Sequence, residues 1–208
     1  MSMKIGIIGS GNIGATLTRR LTALGHEVAV ANSRGPQSLE GLAGETGATA
    51  AEPATAVQSA DLAIVAIPLK AVPELPVAEL AGKLVIDTGN YYPGRDGEIA
   101  EIEAGTASSR WVADHLPDST VVKAFNTIQA RHLLELGRPA GEPGRIALPV
   151  AGDDEAAKRV VLELVESLGF DGVDAGTLDD SRRQEPGTAV YGTDLDASAT
   201  REALAAAR

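Results

Sequence analysis

The sequence predicts an α/β protein built on a doubly wound, mainly parallel sheet with helices on both faces. Three observations support this class. Lys-Ile-Gly-Ile-Ile at 4–8, Asp-Leu-Ala-Ile-Val-Ala-Ile at 61–67 and Lys-Leu-Val-Ile-Asp at 83–87 are short, nearly unbroken apolar runs, as strands covered on both sides must be. The segments between such runs are long enough for helices, and this alternation argues parallel strands joined by helical crossovers. The first run also opens into Gly9-Ser10-Gly11-Asn12-Ile13-Gly14, a G-x-G-x-x-G turn between strand and helix. The whole chain, 1–208, reads as a single domain with a short carboxyl-terminal segment.

Each element has its own signal. After the strand at 4–8, Ile13, Leu17, Leu21 and Leu24 fall on one helical face at steps of four, four and three. Residues 26–31 form a second strand. Leu39, Leu42 and Ala43 suggest a short helix, 48–50 a weak strand, and 53–59 a helix opening on Pro53. The strand at 61–67 stops at Pro68, and Pro73 with Pro76 keeps any helix over 71–80 short or interrupted. After the strand at 83–87, residues 98–116 read as mostly helical, with Gly105 the weak point. A strand over 120–125 follows, then a Gly- and Pro-rich loop over 137–144 and a strand over 146–151. The helix over 154–168 turns Ala157, Val160, Val161, Leu164 and Leu168 inward, with Asp153 or Asp154 as its cap. A strand over 170–174 and a closing helix over 196–207 complete the pattern.

The glycine turn has the chemistry of a dinucleotide site. Gly9 permits a tight turn, Gly11 lets backbone approach a pyrophosphate, and Gly14 lets the helix pack close on the sheet. The helix start adds free N–H groups and a positive dipole end. Which dinucleotide is bound is read at the end of the second strand. NAD sites place Asp or Glu there, about 20 residues past the fingerprint, to hold the ribose 2′-hydroxyl. Here Asn32 lies 18 positions after Gly14 and is followed by Ser33 and Arg34. No carboxylate repels a 2′-phosphate, and a guanidinium is present to bind one. The reading is NADP(H).

Composition narrows the partners. A net charge of −11 argues against nucleic acid and against an anionic membrane surface. An acidic chain that binds NADP must gather cations locally, and Arg34 fits that need. With no cysteine there is no disulfide, thiol nucleophile or thiolate metal site. The apolar runs fall far short of the roughly 18 residues of a membrane span, and the amino terminus lacks a signal-peptide core. A cytoplasmic protein is expected.

In open parallel sheets the ligand lies beyond the carboxyl ends of the strands. That rule selects Ile67-Pro68-Leu69-Lys70, Asp87-Thr88-Gly89-Asn90 and Asn126-Thr127-Ile128 as the lining of the nicotinamide half, with Pro68 a stiff wall for a flat ring. Other polar residues read as structural. Asp87 caps the turn after its strand, His26 sits away from the cleft, and neither His115 nor His132 has metal-ligand spacing. Tyr191 reads as a packing aromatic. Lys123, unusual inside a strand, either pairs with a carboxylate or reaches the cleft. Arg182-Arg183 is either an anion contact or a solvated pair.

Gly-Ser-Gly-Asn-Ile-Gly, Asn-Ser-Arg-Gly-Pro, Asp-Leu-Ala-Ile-Val-Ala-Ile-Pro, Val-Val-Lys-Ala-Phe-Asn-Thr-Ile and Val-Ala-Gly-Asp-Asp, in that order, resemble the coenzyme-F420-dependent NADP oxidoreductases. That family also includes the cytosolic domain of the membrane metalloreductases. The resemblance runs over about 4–183 and implies a Rossmann-like domain. It implies hydride transfer between NADP(H) and a second flat acceptor, coenzyme F420 or a flavin, stacked on the nicotinamide. By motif matching, Ser10, Gly11, Asn12 and Ile13 hold the pyrophosphate, Ser33 and Arg34 the 2′-phosphate, and Leu69, Pro73 and Ala130 sit beside the cofactor. Asn126 departs from the His frequent in F420 reductases and agrees with the metalloreductase domain. The polar, short segment after Arg183 departs from a family segment that is commonly apolar and contributes to the deazaflavin pocket and subunit contact. A homodimer is expected from that counterpart. Two function classes follow: an NADP(H)-dependent oxidoreductase, or a non-catalytic NADP(H)-binding sensor or carrier.

Overall fold

The computed structural model describes residues 2–207, so Met1 and Arg208, the outermost positions of the expected domain, lie outside it. The first half of the chain forms β1 (Lys4–Ile8), α1 (Asn12–Ala23), β2 (Glu27–Ala31), α2 (Glu40–Thr46), β3 (Thr49–Ala50), α3 (Pro53–Gln58), β4 (Leu62–Val65), α4 (Val77–Leu80) and β5 (Leu84–Asp87). The second half forms α5 (Pro93–Asp96), α6 (Ala100–Glu103), α7 (Ser108–Asp114), β6 (Thr120–Lys123), α8 (Ala130–Glu135), β7 (Ala147–Gly152), α9 (Glu155–Ser167), β8 (Asp171–Asp174) and α10 (Ala197–Ala206). Short 3-10 turns cover Pro36–Leu39, Leu69–Glu74 and Asp179–Gln184.

The strands order as β3-β2-β1-β4-β5-β6-β7-β8. Every neighbouring pair is parallel except β6–β7, which is antiparallel through Val122 beside Gly152 and Lys123 beside Ala151. The order reverses at β1 and β4, where chain direction away from the centre switches sides, so the ends of these two strands form the natural crevice. Side chains alternate between the faces of β1. Ile5 and Ile7 join Leu17, Leu21 and Leu164 in one core, while Ile8 joins Val57, Leu80 and Val112 in the other. Helices thus cover both faces. Gly6 makes the second contact close, since a Cβ there would lie 2.4 Å from the Ala56 carbonyl oxygen.

Several boundaries differ from expectation for local reasons. The helix over 98–116 is divided into α6 and α7, with Gly105 between them at φ +105°. Its missing Cβ lets the chain take a conformation that ends a helix. Helix α9 is capped by Asp154, whose carboxylate accepts the Ala157 N–H at 2.8 Å. Val160 on this helix is 38% exposed, so the buried stripe is narrower than the apolar pattern suggested. The one-turn helix α5 and the short α8 carry too few residues to show a helical period.

Candidate functional site

Beyond β1 the three fingerprint glycines divide by what demands them. Gly9 takes φ +112°, and a Cβ on it would sit 2.2 Å from the Ala66 carbonyl oxygen. A Cβ on Gly14 would sit 1.9 Å from the Gly9 carbonyl oxygen. The fold itself requires both. A Cβ on Gly11 would meet nothing within 4 Å, so packing within the chain does not explain that glycine. Helix α1 starts there without a side-chain cap and without an acidic residue in its first turn. Its first N–H groups and dipole end are therefore left for an anion.

Asn32, at the end of β2, is buried and acts as a strut. Its amide nitrogen donates to the Ser10 and Ser38 hydroxyls at 2.9 Å each, and its amide oxygen accepts the Arg34 N–H at 2.9 Å. This pins the glycine turn to the loop that presents Ser33 and Arg34, both exposed. The Arg34 guanidinium makes no hydrogen bond or ion pair with any described residue. Gly9, Ser10, Gly11, Asn32, Ser33 and Arg34 line a cavity of about 640 Å³. Glu52 and Glu74, which the sequence reading did not single out, line it as well.

A second cavity of about 800 Å³ shares Gly11, Ala66, Ile67 and Pro68 with the first, so the two are one cleft running past the strand ends. Asn12, Ile13 and Ala130, named by the motifs, and Asn90, named by the strand ends, line this larger part. Leu69 and Pro73 line neither part. Leu69 is 1% exposed and enters the apolar core, its Cδ1 lying 2.9 Å from where a Gly89 Cβ would be. It props the floor instead of facing the cleft. Pro73 is exposed at the far side of the same 3-10 turn. A 3-10 turn places residues four apart on different faces, which strand-end logic does not anticipate.

Beneath the floor lies a buried polar cluster. Lys123 is fully buried, and its ammonium donates to Asp87 Oδ2 at 2.9 Å and to the Gly89 carbonyl. Asp87 also accepts the Ser109 hydroxyl at 2.7 Å and the Gly89 N–H at 2.8 Å, so it does cap the turn after β5. Of the two readings of Lys123, the carboxylate pair holds. Beside this cluster Asn126 donates to Asn90 Oδ1 at 3.0 Å and to the Gln184 carbonyl at 2.7 Å, and accepts from Gln184 Nε2 at 2.8 Å. Between Lys123 and Asn126, Phe125 is held at φ +62°, a conformation that costs a bulky residue energy and clusters at functional sites.

The outer wall was not legible beforehand. Tyr191 lines the larger cavity with its hydroxyl against that of Tyr92, so it is more than a packing aromatic. Burial, and then the Tyr92 hydroxyl, push the Tyr191 phenol up to about 12, which keeps it protonated. The Arg95 guanidinium lies over the Tyr92 ring, 4.9 Å from its centre. Its partner Asp96 is disfavoured as an anion by burial, yet Arg95 and the Tyr92 N–H hold its carboxyl below the usual range. Tyr191 arrives on the carboxyl-terminal segment, which Gly192 N–H ties to the Thr127 carbonyl at 2.9 Å and His132 to Asp194 at 2.8 Å. The remaining polar residues are structural: His26 accepts the Met3 N–H at 3.2 Å, Arg182 donates to the Gly105 carbonyl at 3.0 Å, and Arg183 pairs with Asp180 at 2.8 Å. Among the described residues no group of His, Asp and Glu is arranged to hold a metal, and no helix is long and apolar enough to cross a membrane.

Comparison with known proteins agrees with this fold. Residues 4–91 match the family model described as NADP oxidoreductase, coenzyme F420-dependent. The solved structure of a hypothetical protein from Sinorhizobium meliloti superposes with a TM-score of 0.80 at 34% identity, over 94% of this chain and 95% of that one. A candidate F420-dependent NADP-reductase from Arthrobacter sp. FB24 superposes with a TM-score of 0.75 at 28% identity, over 87% and 88% of the two chains. Rat metalloreductase STEAP3 is 30% identical over 184 residues, which is 88% of this chain and 36% of that protein. The chain thus spans about a third of the length of the curated metalloreductases it matches.

Proposed function

Because the chain belongs to the family of coenzyme-F420-dependent NADP oxidoreductases, we propose that it exchanges a hydride between NADP(H) and a second flat acceptor, coenzyme F420 or a flavin. One observation supports this most directly: the cleft is open at Gly11, where the chain needs no glycine for its own packing. The donor set fits the nucleotide, with free helix N–H groups for the pyrophosphate and an unpaired guanidinium for the 2′-phosphate.

NADPH, when bound, supplies the hydride, and the protein's share is orientation and exclusion of water. Ser10 to Ile13 hold the pyrophosphate through backbone N–H groups. Ser33 and Arg34 hold the 2′-phosphate, on a loop that Asn32 fixes. Ile67 and Pro68, shared by both parts of the cleft, form a stiff wall along its middle, and Tyr191 stands in the lining of the larger part. Asn90, locked to Asn126, keeps the end of β5 at a fixed height beside the acceptor.

The test follows the absorbance of reduced nicotinamide while F420, FMN, FAD, a quinone or a ferric chelate is added in turn. Loss of the band with F420 or a flavin is the expected result. NADPH binding with no oxidation by any acceptor would replace this reading with the non-catalytic carrier.

A further inference from the structure

We propose that the outer part of the larger cavity is a subsite for an anionic group on the second substrate, with Arg95 and Arg131 as its cationic ligands and the Tyr92–Tyr191 pair as the adjoining aromatic wall. This rests on the reading above, that a second substrate enters this cavity.

Charge is the first argument. The chain carries 29 acidic residues against 18 lysines and arginines, yet the lining of the larger cavity holds two arginines and no carboxylate. The smaller cavity, by contrast, pairs one arginine with Glu52 and Glu74. Asp96 and Glu135, which pair with these arginines, stand outside the lining, so the cavity presents guanidinium edges to a ligand within a protein whose net charge repels anions elsewhere. The nucleotide's own phosphates already have partners in the α1 start and Arg34, which leaves Arg95 and Arg131 without an assigned ligand.

Preorganisation is the second argument. Arg95 donates through Nη2 to the Asn90 carbonyl at 2.6 Å and to Asp96 Oδ2 at 2.8 Å, and through Nε to Asp96 Oδ1 at 3.1 Å. Its Nη1 has no partner among the described residues. The Asp96 side chain is wholly buried and lies outside the cavity lining, so it fixes the guanidinium without presenting a negative charge to a ligand. Arg131 uses only Nε, toward Glu135 at 3.0 Å, and is 80% exposed, so its two terminal nitrogens are free. Arg95, a planar fork held on one edge, loses little entropy when its other edge binds a phosphate or carboxylate, and Arg131 adds a second, exposed cation.

The third argument is shape. Tyr92 and Tyr191 come from positions 99 apart and meet hydroxyl to hydroxyl beside Arg95, which gives a ring-sized apolar face next to a cation. That combination suits a flat ring system bearing an anionic arm.

FMN and riboflavin share one ring system and differ by the phosphate, so their ratio isolates the subsite. Binding is read by flavin fluorescence quenching on protein saturated with NADP⁺, and turnover by NADPH oxidation. FMN is expected to bind at least about tenfold tighter than riboflavin, with the advantage fading as salt screens it. Arg131→Gln and Arg95→Gln should each lower the FMN-to-riboflavin ratio about three- to fivefold, the double variant more. Arg131 lies on an exposed helix face, so its variant keeps the test sound if Arg95→Gln fails to fold. Equal binding of the two flavins, or a ratio that neither substitution moves, overturns the subsite and leaves the acceptor reading standing. Binding of neither flavin, with NADPH still bound, overturns the subsite, and if coenzyme F420 oxidises no NADPH either, the acceptor reading falls with it.

Discussion

The two ends of the cleft are built from different materials. The inner end is backbone: three glycines within six positions, a helix start and one loop pinned by Asn32. The outer end is side chains brought together from afar, with Tyr92 and Tyr191 separated by 99 positions and Asn126 and Gln184 by 58. A backbone site answers to a ligand common to many enzymes, the pyrophosphate, and leaves little to vary. A side-chain site can change its occupant by single substitutions. On the proposed function, the nucleotide is therefore the fixed partner of this fold and the acceptor the adjustable one.

The sharpest way to break the comparison is within the inner end itself. Gly14→Val should cost beyond roughly 5 kcal/mol, because its Cβ would strike backbone that cannot move aside. Gly11→Val should cost about 1 kcal/mol at most, as a poor helix cap, yet lose NADPH binding. Thermal unfolding separates the two, and NADPH titration completes the test. A Gly11→Val protein that binds NADPH normally would remove the pyrophosphate from this turn.

Between the ends, the buried Lys123–Asp87 pair supports the floor. Lys123→Met should cost about 3–5 kcal/mol, since it strands a carboxylate with a water-free environment and two remaining donors. The double change with Asp87→Asn should recover part of that loss by removing the orphaned charge. Additive losses in denaturant unfolding would show that the two groups do not act as a pair.

This contrast also explains what the sequence disclosed. β1, α1 and the sheet class were legible because buried strands and fingerprint glycines are local patterns. Lys123 was recognised as odd inside a strand, but its partner sits on the neighbouring strand, which no local pattern reveals. Leu69 and Pro73 fall outside the lining of the cleft because the 3-10 turn at 69–74, unlike a strand end, sends its first residue into the core and leaves Pro73 exposed. Tyr191 looked like a packing aromatic because its partner Tyr92 and its anchor Thr127 lie in other segments. Arg95 and Arg131 carried no motif at all. The local signals cover the glycine end of the cleft and stop where long-range folding builds the outer end.

A smaller effect sharpens the nucleotide assignment. Arg34→Ala should weaken NADPH binding about tenfold to a hundredfold, the range of a lost charge-assisted phosphate contact, and leave NADH nearly unchanged. Equal losses for both nucleotides would take the 2′-phosphate away from Arg34.

The smallest effect tests the outer end through Asp96, which anchors Arg95 and accepts the Tyr92 N–H at 3.0 Å. Its carboxyl titrates below the ordinary value of 3.8, burial being outweighed by Arg95 and the backbone donors. A depressed carboxyl stabilises the fold fully above its unfolded pKa and stops doing so as pH falls through the lower folded value. Asp96→Asn should therefore cost on the order of 2 kcal/mol at pH 7, the scale of hydrogen bonds to a charged group. That difference should hold down to about pH 4 and close below it, as the wild-type carboxylate also becomes neutral. Denaturant unfolding of both proteins between pH 7 and pH 3 measures the gap. A gap that stays constant through pH 3 would mean that Asp96 acts by shape alone, and the rigid placement of Arg95 would then rest on its stacking over Tyr92 and its bond to Asn90.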